Sequence, residues 1–322
     1  MTQIMDFLAR LDDLAILRIE GQDATDFLHT QLSNDISGMS ADEARLAAYC
    51  NPKGRMLGSL ILWRETTDPG GPLLALAKAD LVEPLLKRLR MFVLRAKVGF
   101  EVTPLKAYGA GFPTQSANAM AATWRIRREG PVTRISAPGA PGGPVREWLI
   151  VPEETDTAAL AARLDLRQCG AGTWHAHDIK AGLGWVEQAN VELFIPQSLN
   201  YDLSGGVSFT KGCYPGQEVV ARAHFRGTVK RRAIPGYCEV SADFMLHAGM
   251  DIFDARRPGP PAGRIVNAAA GNDEGQRPIG WHVFMEISLA DIGQADFRVL
   301  SPEGPAIRLL ALPYPLEVKT VE

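Results

Sequence analysis

Short runs of β-forming residues alternate with two helical segments in the first hundred residues of this 322-residue chain. The patterns predict strands at residues 14–19, 46–50, 56–63 and 97–102, and helices at residues 24–32 and 81–92. Asp23 and Asp80 stand where helix N-caps are expected, and residues 51–54 have the composition of a hairpin turn. Because helices interrupt a mostly antiparallel set of strands, this order predicts an α+β sandwich of ferredoxin-like kind.

The rest of the chain has two further patterns of predicted secondary structure. Residues 124–128 and 132–136 read as paired strands, residues 147–151 as another strand, and Asp156 as the cap of a helix running through Leu164. Beyond Arg232, short β-like pieces are separated by Pro and Gly, which predicts a small β-barrel. We therefore predict a first α+β domain at residues 1–105, a second at 106–232, and a C-terminal β-barrel at 233–322.

Composition narrows the class of protein and its compartment. The chain has 34 basic and 37 acidic residues, which argues against a surface built throughout to coat nucleic acid. Its four cysteines make no C-x-x-C pair, which excludes a zinc knuckle or a thioredoxin-type redox pair. Four cysteines in so long a chain do not make a disulfide scaffold, which suits a reducing cytoplasm. The first twenty residues lack a signal-peptide h-region, and the apolar runs are too short to span a membrane. We expect a cytoplasmic protein without a membrane partner.

One cysteine stands in a context that favours reactivity. Gly212 and Gly216 flank Cys213, and residues 217–223 have helical character, so Cys213 is predicted just before a helix N-terminus. The partial positive charge of a helix N-terminus and the cation of Lys211 both favour a thiolate. The alternative is a small buried cysteine packed behind a glycine-rich turn. The flanking residues favour the reactive interpretation, and the other three cysteines are interpreted as structural.

A second feature is a run of positive charge behind the cysteine. No acidic residue occurs from Val219 to Cys238, whereas five cations crowd into eleven positions: Arg222, Arg226, Lys230, Arg231 and Arg232. Such a patch suits carboxylates, phosphates or RNA. A solvated basic hairpin whose counter-charges come from elsewhere in the fold explains the run equally well.

Other chemical signals are weaker. His175 and His177 share one face of a strand but not of a helix, and they lack nearby residues at metal-ligand spacing. Neither a phosphate-binding G-x-x-x-x-G-K-[ST] motif nor a G-x-S-x-G nucleophile elbow occurs. A hydrolase that pairs Cys213 with His224 is conceivable chemically, but the sequence alone does not bring the two together.

The segment from Lys211 to Glu218, Lys-Gly-Cys-Tyr-Pro-Gly-Gln-Glu, resembles the hallmark of the YgfZ-type folate-binding proteins. These are relatives of the glycine-cleavage T-protein, an aminomethyltransferase. Further matching segments lie at residues 27–35, 51–55, 95–98, 194–197 and 225–227, so the resemblance covers roughly residues 15–232. The C-terminal part is similar only in its general sequence pattern and contains no matching motif.

The resemblance implies a three-domain, T-protein-like ring around a central channel that accommodates tetrahydrofolate. It also implies a role in assembling or maintaining iron–sulfur clusters, notably in the radical enzymes that methylthiolate tRNA. The T-protein carries an acidic pair shortly after its hairpin glycines, where this chain reads Gly54-Arg-Met-Leu-Gly-Ser59. Because that carboxylate is missing, acid–base help at folate N5 is missing too, and we expect folate binding without aminomethyl transfer.

Site assignments combine this resemblance with residue chemistry. A pterin offers N–H groups that suit a carboxylate, and a glutamate tail suits cations. Glu147 is predicted at the pterin, Arg222 or Lys230 at the tail, and Glu218 at the pterin or in the loop itself. The remaining predicted folate-binding residues, from the matching motifs, are Gln217, Asn51 and Arg55. The family usually has Arg where this chain has Asp178, which puts in doubt the contact that this arginine makes.

Cys213 is the predicted working thiol, with Lys211 beside it. Clusters normally need four protein ligands, so one cysteine would act as a shared ligand of a transient cluster held jointly with a partner protein. The expected partners are folate, in its monoglutamyl or polyglutamyl form, and iron–sulfur assembly or client proteins. tRNA is expected to contact the run 222–232. Two alternatives stay open: a folate-dependent aminomethyl or methyl transferase, and a simple RNA-binding module.

Overall fold

Three β-sheets and five α-helices make up the computed structural model, which describes residues 6–114, 122–227, 229–240, 244–257, 259–271 and 280–316. The strands of the first hundred residues are β1 (Phe7–Arg10), β2 (Leu14–Glu20), β3 (Arg45–Cys50), β4 (Met56–Arg64), β5 (Leu73–Lys78) and β6 (Gly99–Val102). The next are β7 (Lys106–Phe112), β8 (Ile126–Glu129), β9 (Val132–Ala137), β10 (Val145–Val151) and β11 (Arg167–Cys169). The last are β12 (Arg231–Cys238), β13 (Asp251–Asp254), β14 (Gly263–Gly271), β15 (Gly280–Ser288), β16 (Phe297–Val299) and β17 (Ile307–Leu309). The helices are α1 (Ala24–Gln31), α2 (Val82–Phe92), α3 (Thr157–Leu164), α4 (Ala171–Lys180) and α5 (Gln217–Phe225). The predicted α+β class is confirmed.

The first sheet is antiparallel, with the strand order β3-β4-β5-β2-β6. Its predicted strands and both helices are present, but the caps differ from the prediction. Asp23 precedes α1, yet its carboxylate accepts a hydrogen bond from the Lys97 backbone N–H at 2.7 Å. Asp80 lies in a 3₁₀ turn before α2, and its carboxylate accepts from the Gln188 N–H at 3.0 Å. The prediction that Asp80 caps α2 is wrong because the carboxylate satisfies a distant segment instead.

The second sheet has the order β11-β1-β7-β10-β9-β8. Its β1 pairs antiparallel with β7 and parallel with β11, so the strand belongs here and not to the first sheet. The predicted boundary between residues 105 and 106 therefore misplaces β1, because its pairing partners are remote in sequence. The predicted cap of α3 is confirmed: the Asp156 carboxylate accepts hydrogen bonds from two N–H groups of the first helical turn.

The third sheet has the order β16-β13-β14-β15-β12-β17, and a bridge between Arg298 and Ala306 brings its two edges together. It is thus a nearly closed barrel. Helix α4 joins this barrel to the second sheet, packing against β14 and β15 on one side and against β1 and β7 on the other. A Cβ on Gly109 of β7 would lie 2.2 Å from the Trp174 ring, so glycine lets the helix approach the strand closely. Within the described residues, no helix combines the length and apolarity needed to cross a membrane.

Candidate functional site

Cys213 lies in an exposed stretch of the segment 205–216, here named the Cys213 loop, directly before α5. Cys50 and Cys238 are buried, and burial raises the pKa of their thiols, to about 12 for Cys50 and about 11 for Cys238. Cys169 is half-buried, and burial raises its pKa as well. Cys213 is the one exposed thiol among the four cysteines, all of which the structure describes.

One side of the Cys213 loop is fixed to the segment that follows α1. The Ser33 hydroxyl donates to the Gly206 carbonyl at 2.6 Å, and the Asn34 side-chain amide donates to the Gly205 carbonyl at 2.7 Å. The Ser208 N–H donates to the Ser33 carbonyl at 2.9 Å. Ser33 and Asn34 belong to the segment 27–35 that the sequence resemblance singled out. Their role is to hold the loop against the first sheet.

Lys211 completes this attachment. Its ammonium donates to the carbonyls of His29 and Leu32, the latter at 2.8 Å, and thereby satisfies backbone oxygens at the C-terminus of α1. Burial lowers the Lys211 pKa to about 8, while the negative charges of Asp35 and Cys213 act in the opposite direction. Lys211 therefore lies within electrostatic reach of the thiol, but its hydrogen bonds position the loop.

The other side of the loop packs on the hairpin turn between β3 and β4. Gly216 has φ +82°, and a Cβ there would lie 2.5 Å from the Asn51 carbonyl oxygen, so only glycine fits. The Asn51 amide oxygen accepts from the N–H groups of Lys53 and Arg55 at 2.9 and 3.0 Å, and its amide nitrogen donates to Glu192 at 2.9 Å. The Asn51 side chain, predicted at folate, is thus occupied in building the turn.

Helix α5 starts four residues after Cys213, as the sequence predicted. Gln217 lies at its first turn, with its amide nitrogen 3.5 Å from the carbonyl oxygens of Lys211 and Gly212. Glu218 is exposed and accepts from Arg222 one turn later at 2.7 Å. Both predicted folate residues therefore lie beside the Cys213 loop, and Glu218 already has a cation partner.

The basic run divides into two groups. Arg222 pairs with Glu218, Arg231 pairs with Glu286 at 2.7 Å, and Arg232 forms a buried pair with Asp202 at 2.8 Å. Carboxylates thus account for three of the five cations, one from the same helix and two from elsewhere in the fold. Arg226 and Lys230 are exposed, and neither forms an ion pair with a carboxylate of the described chain.

Glu147, the predicted pterin ligand, is fully buried on β10, with 0% of its surface exposed. Its carboxylate accepts from the Arg134 guanidinium on the neighbouring β9 at 2.6 Å. The opposite face of β10 carries a second buried pair, in which Arg146 donates to Asp178 of α4 at 2.7 Å. The charge reversal at Asp178 is therefore matched by a buried cation. Glu147 lies in the second sheet, whereas the Cys213 loop is fixed to the first, so the structure does not bring the two together.

The place where the T-protein resemblance expects an acidic pair is closed. On β4, the Ser59 hydroxyl accepts from the Val186 N–H at 3.0 Å and lies 2.7 Å from the Tyr201 hydroxyl. A Cβ on Gly58 would lie 3.0 Å from the Leu85 side chain of α2, so a carboxylate at 58 would have to displace that side chain. Residues 54–59 carry no carboxylate of their own, and a side chain at position 58 would require Leu85 to move.

Sequence reasoning missed a charged cavity of about 760 Å³ at the ends of β2, β5 and α4. The Lys78 ammonium lies 2.7 Å from Asp13 and 3.4 Å from Glu187, and His175 lies 3.1 Å from Asp13. Burial opposes ionisation of His175, but hydrogen bonds to Asp13 and Asp178 outweigh it and raise the His175 pKa. The partners of His175 come from remote elements, so its local sequence gave no signal. Arg10 and Asp80 also line the cavity.

Sequence comparison finds relatives named tRNA-modifying protein YgfZ. The tRNA-modifying protein YgfZ of Escherichia coli UTI89 is 32% identical over 323 residues, which cover 96% of this chain and 94% of that protein. The YgfZ protein of Escherichia coli O157:H7 is 34% identical over 230 residues, covering 70% of this chain and 69% of the relative. No family model matches the chain.

Structural comparison finds a similar fold in a solved enzyme. The crystal structure of the glycine cleavage system aminomethyltransferase T from Bartonella henselae superposes with a TM-score of 0.71. The match covers 97% of this chain and 87% of that one, at 15% sequence identity. At this identity, the likeness establishes a shared fold and nothing about activity.

Proposed function

The chain belongs to the YgfZ family of tRNA-modifying proteins, and from that premise we propose that it binds tetrahydrofolate and assists iron–sulfur cluster assembly or maintenance. Radical enzymes that methylthiolate tRNA are the proposed clients. The observation that carries this proposal is the exposed Cys213, presented on a loop that is fixed on both sides. An accessible thiol in a fixed backbone suits transient ligation of a cargo better than burial in a core would.

Cys213 acts in this proposal as one ligand among several. A cluster normally needs four protein ligands, usually thiolates, and the other three cysteines of this chain are buried or half-buried. The remaining ligands therefore come from a partner protein. Lys211 holds the loop and lies within electrostatic reach of the sulfur.

Complementation of tRNA methylthiolation tests the role of the thiol. A Cys213→Ala variant is expected to abolish the rescue of methylthiolation in cells that lack the protein, with an unchanged unfolding free energy. Cys169→Ala is the matched control, because it removes another incompletely buried thiol at a distance from the Cys213 loop. Full rescue by the Cys213 variant would remove this thiol from the mechanism.

The predicted folate ligands fit the vitamin unequally. Exposed Arg55 and Lys230 suit the anionic glutamate tail, and Arg222 could serve it after releasing Glu218. Glu147 is buried against Arg134 and presents no open side to a pterin. The cavity of about 760 Å³ has a volume typical of small-molecule sites and contains Asp13 and Glu187. It is therefore a competing location for the ligand.

Isothermal titration with tetrahydrofolate tests the ligand and its location together. We expect measurable heat with the wild-type chain, and its absence at high micromolar ligand would end the folate proposal. Loss of affinity in Arg10→Ala, with Glu147→Gln unchanged, would locate the vitamin in the cavity. The reverse pattern would locate it at β10.

The alternative, aminomethyl transfer, is disfavoured because residues 54–59 carry no carboxylate where the T-protein resemblance expects an acidic pair. General acid–base catalysis needs a titratable group within hydrogen-bond reach of the reacting nitrogen, and the Glu192 carboxylate near this turn already accepts from Asn51. Turnover of a folate-borne one-carbon unit by the purified chain would establish the transferase instead.

A further inference from the structure

We propose that a basic face on both sides of the Cys213 loop binds RNA directly, and that most of its cations lie outside the run 222–232. The basic face is defined by its exposed cations Lys53, Arg55, Lys87, Arg95, Arg226 and Lys230. This inference rests on the proposed function and deepens it, because it names the surface that receives tRNA.

Charge is the first argument. The segment 82–98, which comprises α2 and the turn after it, contains five lysines and arginines and the single acidic residue Glu83. None of these five cations forms an ion pair with a carboxylate of the described chain, and the same holds for Lys53 and Arg55 in the hairpin turn. Arg226 and Lys230 extend the unpaired charge beyond α5. Clustered cations without carboxylate partners are the electrostatic feature that neutralises phosphates.

Continuity is the second argument. Leu85 of α2 packs against Gly58 of β4, and Lys87 and Met91 line a small cavity with Leu57 beside it. The hairpin turn immediately precedes β4, and a Cβ on Gly54 in that turn would lie 3.0 Å from Val219 of α5. Helix α2, the turn and α5 therefore form one surface, and the Cys213 loop lies next to the turn.

Aromatic rings are the third argument. Phe225 ends α5 with 67% of its surface exposed, directly before Arg226. Its ring lies 4.7 Å from His224, which stacks on Phe209 at a centroid distance of 3.7 Å. Phe92 at the end of α2 is exposed as well. Exposed rings among cations are typical of surfaces on which unpaired bases stack.

The barrel supplies a contrast within the same chain. Arg257, Arg264 and Arg298 of the barrel each pair with an aspartate at 2.9 Å or less. Arg256 and Arg308 of the barrel are exposed without a carboxylate partner among the described residues, but most of the barrel arginines named here are paired, so the basic face is distinguished by the clustering of its unpaired cations. A protein partner is the less suitable occupant, because lysine is depleted at protein–protein interfaces and the basic face contains three lysines.

Binding of unmodified tRNA, measured by fluorescence anisotropy at several salt concentrations without folate, tests the proposal. A Lys53→Ala, Lys87→Ala, Arg226→Ala triple variant is expected to bind at least about tenfold more weakly at low salt. The slope of log affinity against log salt is expected to fall by about three. Thermal unfolding of the variant confirms that it folds.

A triple variant of the barrel, Arg257→Ala, Arg264→Ala, Arg298→Ala, is the matched control, because it removes the same charge from paired cations. Equal losses in both triple variants would overturn the proposal, since only net charge would then matter. Wild-type RNA binding by the basic-face variant would also overturn the proposal. If that variant no longer captured a methylthiolating enzyme, the basic face would be assigned to a protein partner instead.

The two proposals fail separately. The Cys213→Ala variant is expected to bind tRNA with wild-type affinity, because the thiol contributes no phosphate contact. If Cys213→Ala rescued methylthiolation fully, the thiol proposal would fail and the RNA-binding proposal could still be tested. If the basic-face variant bound RNA like the wild type, the RNA-binding proposal would fail and the thiol and folate proposals would be unaffected.

Discussion

The interior of the second sheet and the surface around the Cys213 loop hold their arginines and lysines in opposite ways. In the interior, Arg146 faces Asp178 and Arg134 faces Glu147, each pair almost completely buried. Around the loop, Lys53, Lys87 and Arg226 are exposed and have no carboxylate partner in the described chain. Buried charge must be paired because desolvation is costly, whereas exposed charge can stay open for a ligand.

This difference indicates which charged residues serve folding and which are available for a ligand. The strongly held ion pairs, including the unexpected Asp178, are explained by folding requirements. The unpaired cations contribute little to the fold, and their clustering beside the one exposed thiol calls for a partner outside the chain. The interior and the basic face should therefore respond oppositely to substitution, in stability on one side and in binding on the other.

Replacing Arg146 with Met should produce the largest loss of stability. It leaves the Asp178 carboxylate buried beside Trp185 and His175 without its guanidinium partner, and breaking a buried pair in this way costs about 3–5 kcal/mol. Denaturant unfolding measures the change. An Arg146→Met, Asp178→Leu double variant should recover part of the loss, since the orphaned charge is gone. An Arg146→Met variant as stable as the wild type would contradict the expectation that the interior ion pairs are required for stability.

Replacing Gly216 with Ala tests the contact between the Cys213 loop and the hairpin turn. The Cβ would collide with the backbone of the hairpin turn in a left-handed conformation, so we expect a loss of about 2 kcal/mol or more. Faster alkylation of Cys213 should accompany it, because the loop loses its support. Gly130→Ala is the control: its φ is also positive, but no atom lies within 4 Å of the added Cβ. Equal losses at both positions would show that backbone strain alone is responsible.

The stabilising effect of His175 should depend on pH. Hydrogen bonds to the carboxylates of half-buried Asp13 and buried Asp178 outweigh desolvation and the Lys78 charge, so the folded pKa lies above the unfolded value of 6.5. The folded state binds the proton more tightly. The stabilisation is therefore full below pH 6.5 and is lost as pH rises through the folded pKa.

A His175→Asn variant isolates this effect. Its loss of stability relative to wild type should be about 1.5 kcal/mol at pH 5.5, as for a charge-assisted hydrogen bond, and should shrink at alkaline pH. Unfolding free energies across the pH range check the trend, and subtraction of the variant removes contributions from other histidines. A difference that grows with pH would reverse the predicted sign.

Replacing Lys87 with Ala should have the smallest effect on stability. The side chain is exposed and unpaired in a helix, so the unfolding free energy should change by no more than about 0.5 kcal/mol. Chemical denaturation measures this, and the same sample provides the RNA-binding value. A loss above 1 kcal/mol would show that Lys87 supports the fold, which would weaken its assignment to the basic face.

Local patterns predicted much of the fold, and remote partners account for what they missed. The alternating runs of β2 to β4 and the turn at residues 51–54 are local features, and the structure contains them. The place of β1 depends on β7 and β11, which its own four residues cannot reveal. Asp80 looked like a helix cap because its competitor, the Gln188 N–H, is remote in sequence.

The candidate site was predicted in part. Helix α5 and the exposed position of Cys213 were visible in the glycines and the helical pattern. The anchoring task of Lys211 was not, because its carbonyl partners are in α1. Glu147 was chosen for its carboxylate, and its Arg134 partner faces it from the adjacent strand. The cations of α2 were present in the sequence, but the packing of α2 against β4 emerges only in three dimensions.

The position of β1 in the second sheet has a consequence for the order in which the protein forms during translation. Phe7 leaves the ribosome early, but its neighbours in the sheet are Gly111 and Arg167. At about 5–20 residues per second, the wait for β11 is on the order of ten seconds. The first sheet can form during that interval, while β1 is still unpaired. The apolar residues of β1 must therefore stay unpaired beside the growing chain until β7 and β11 have been made.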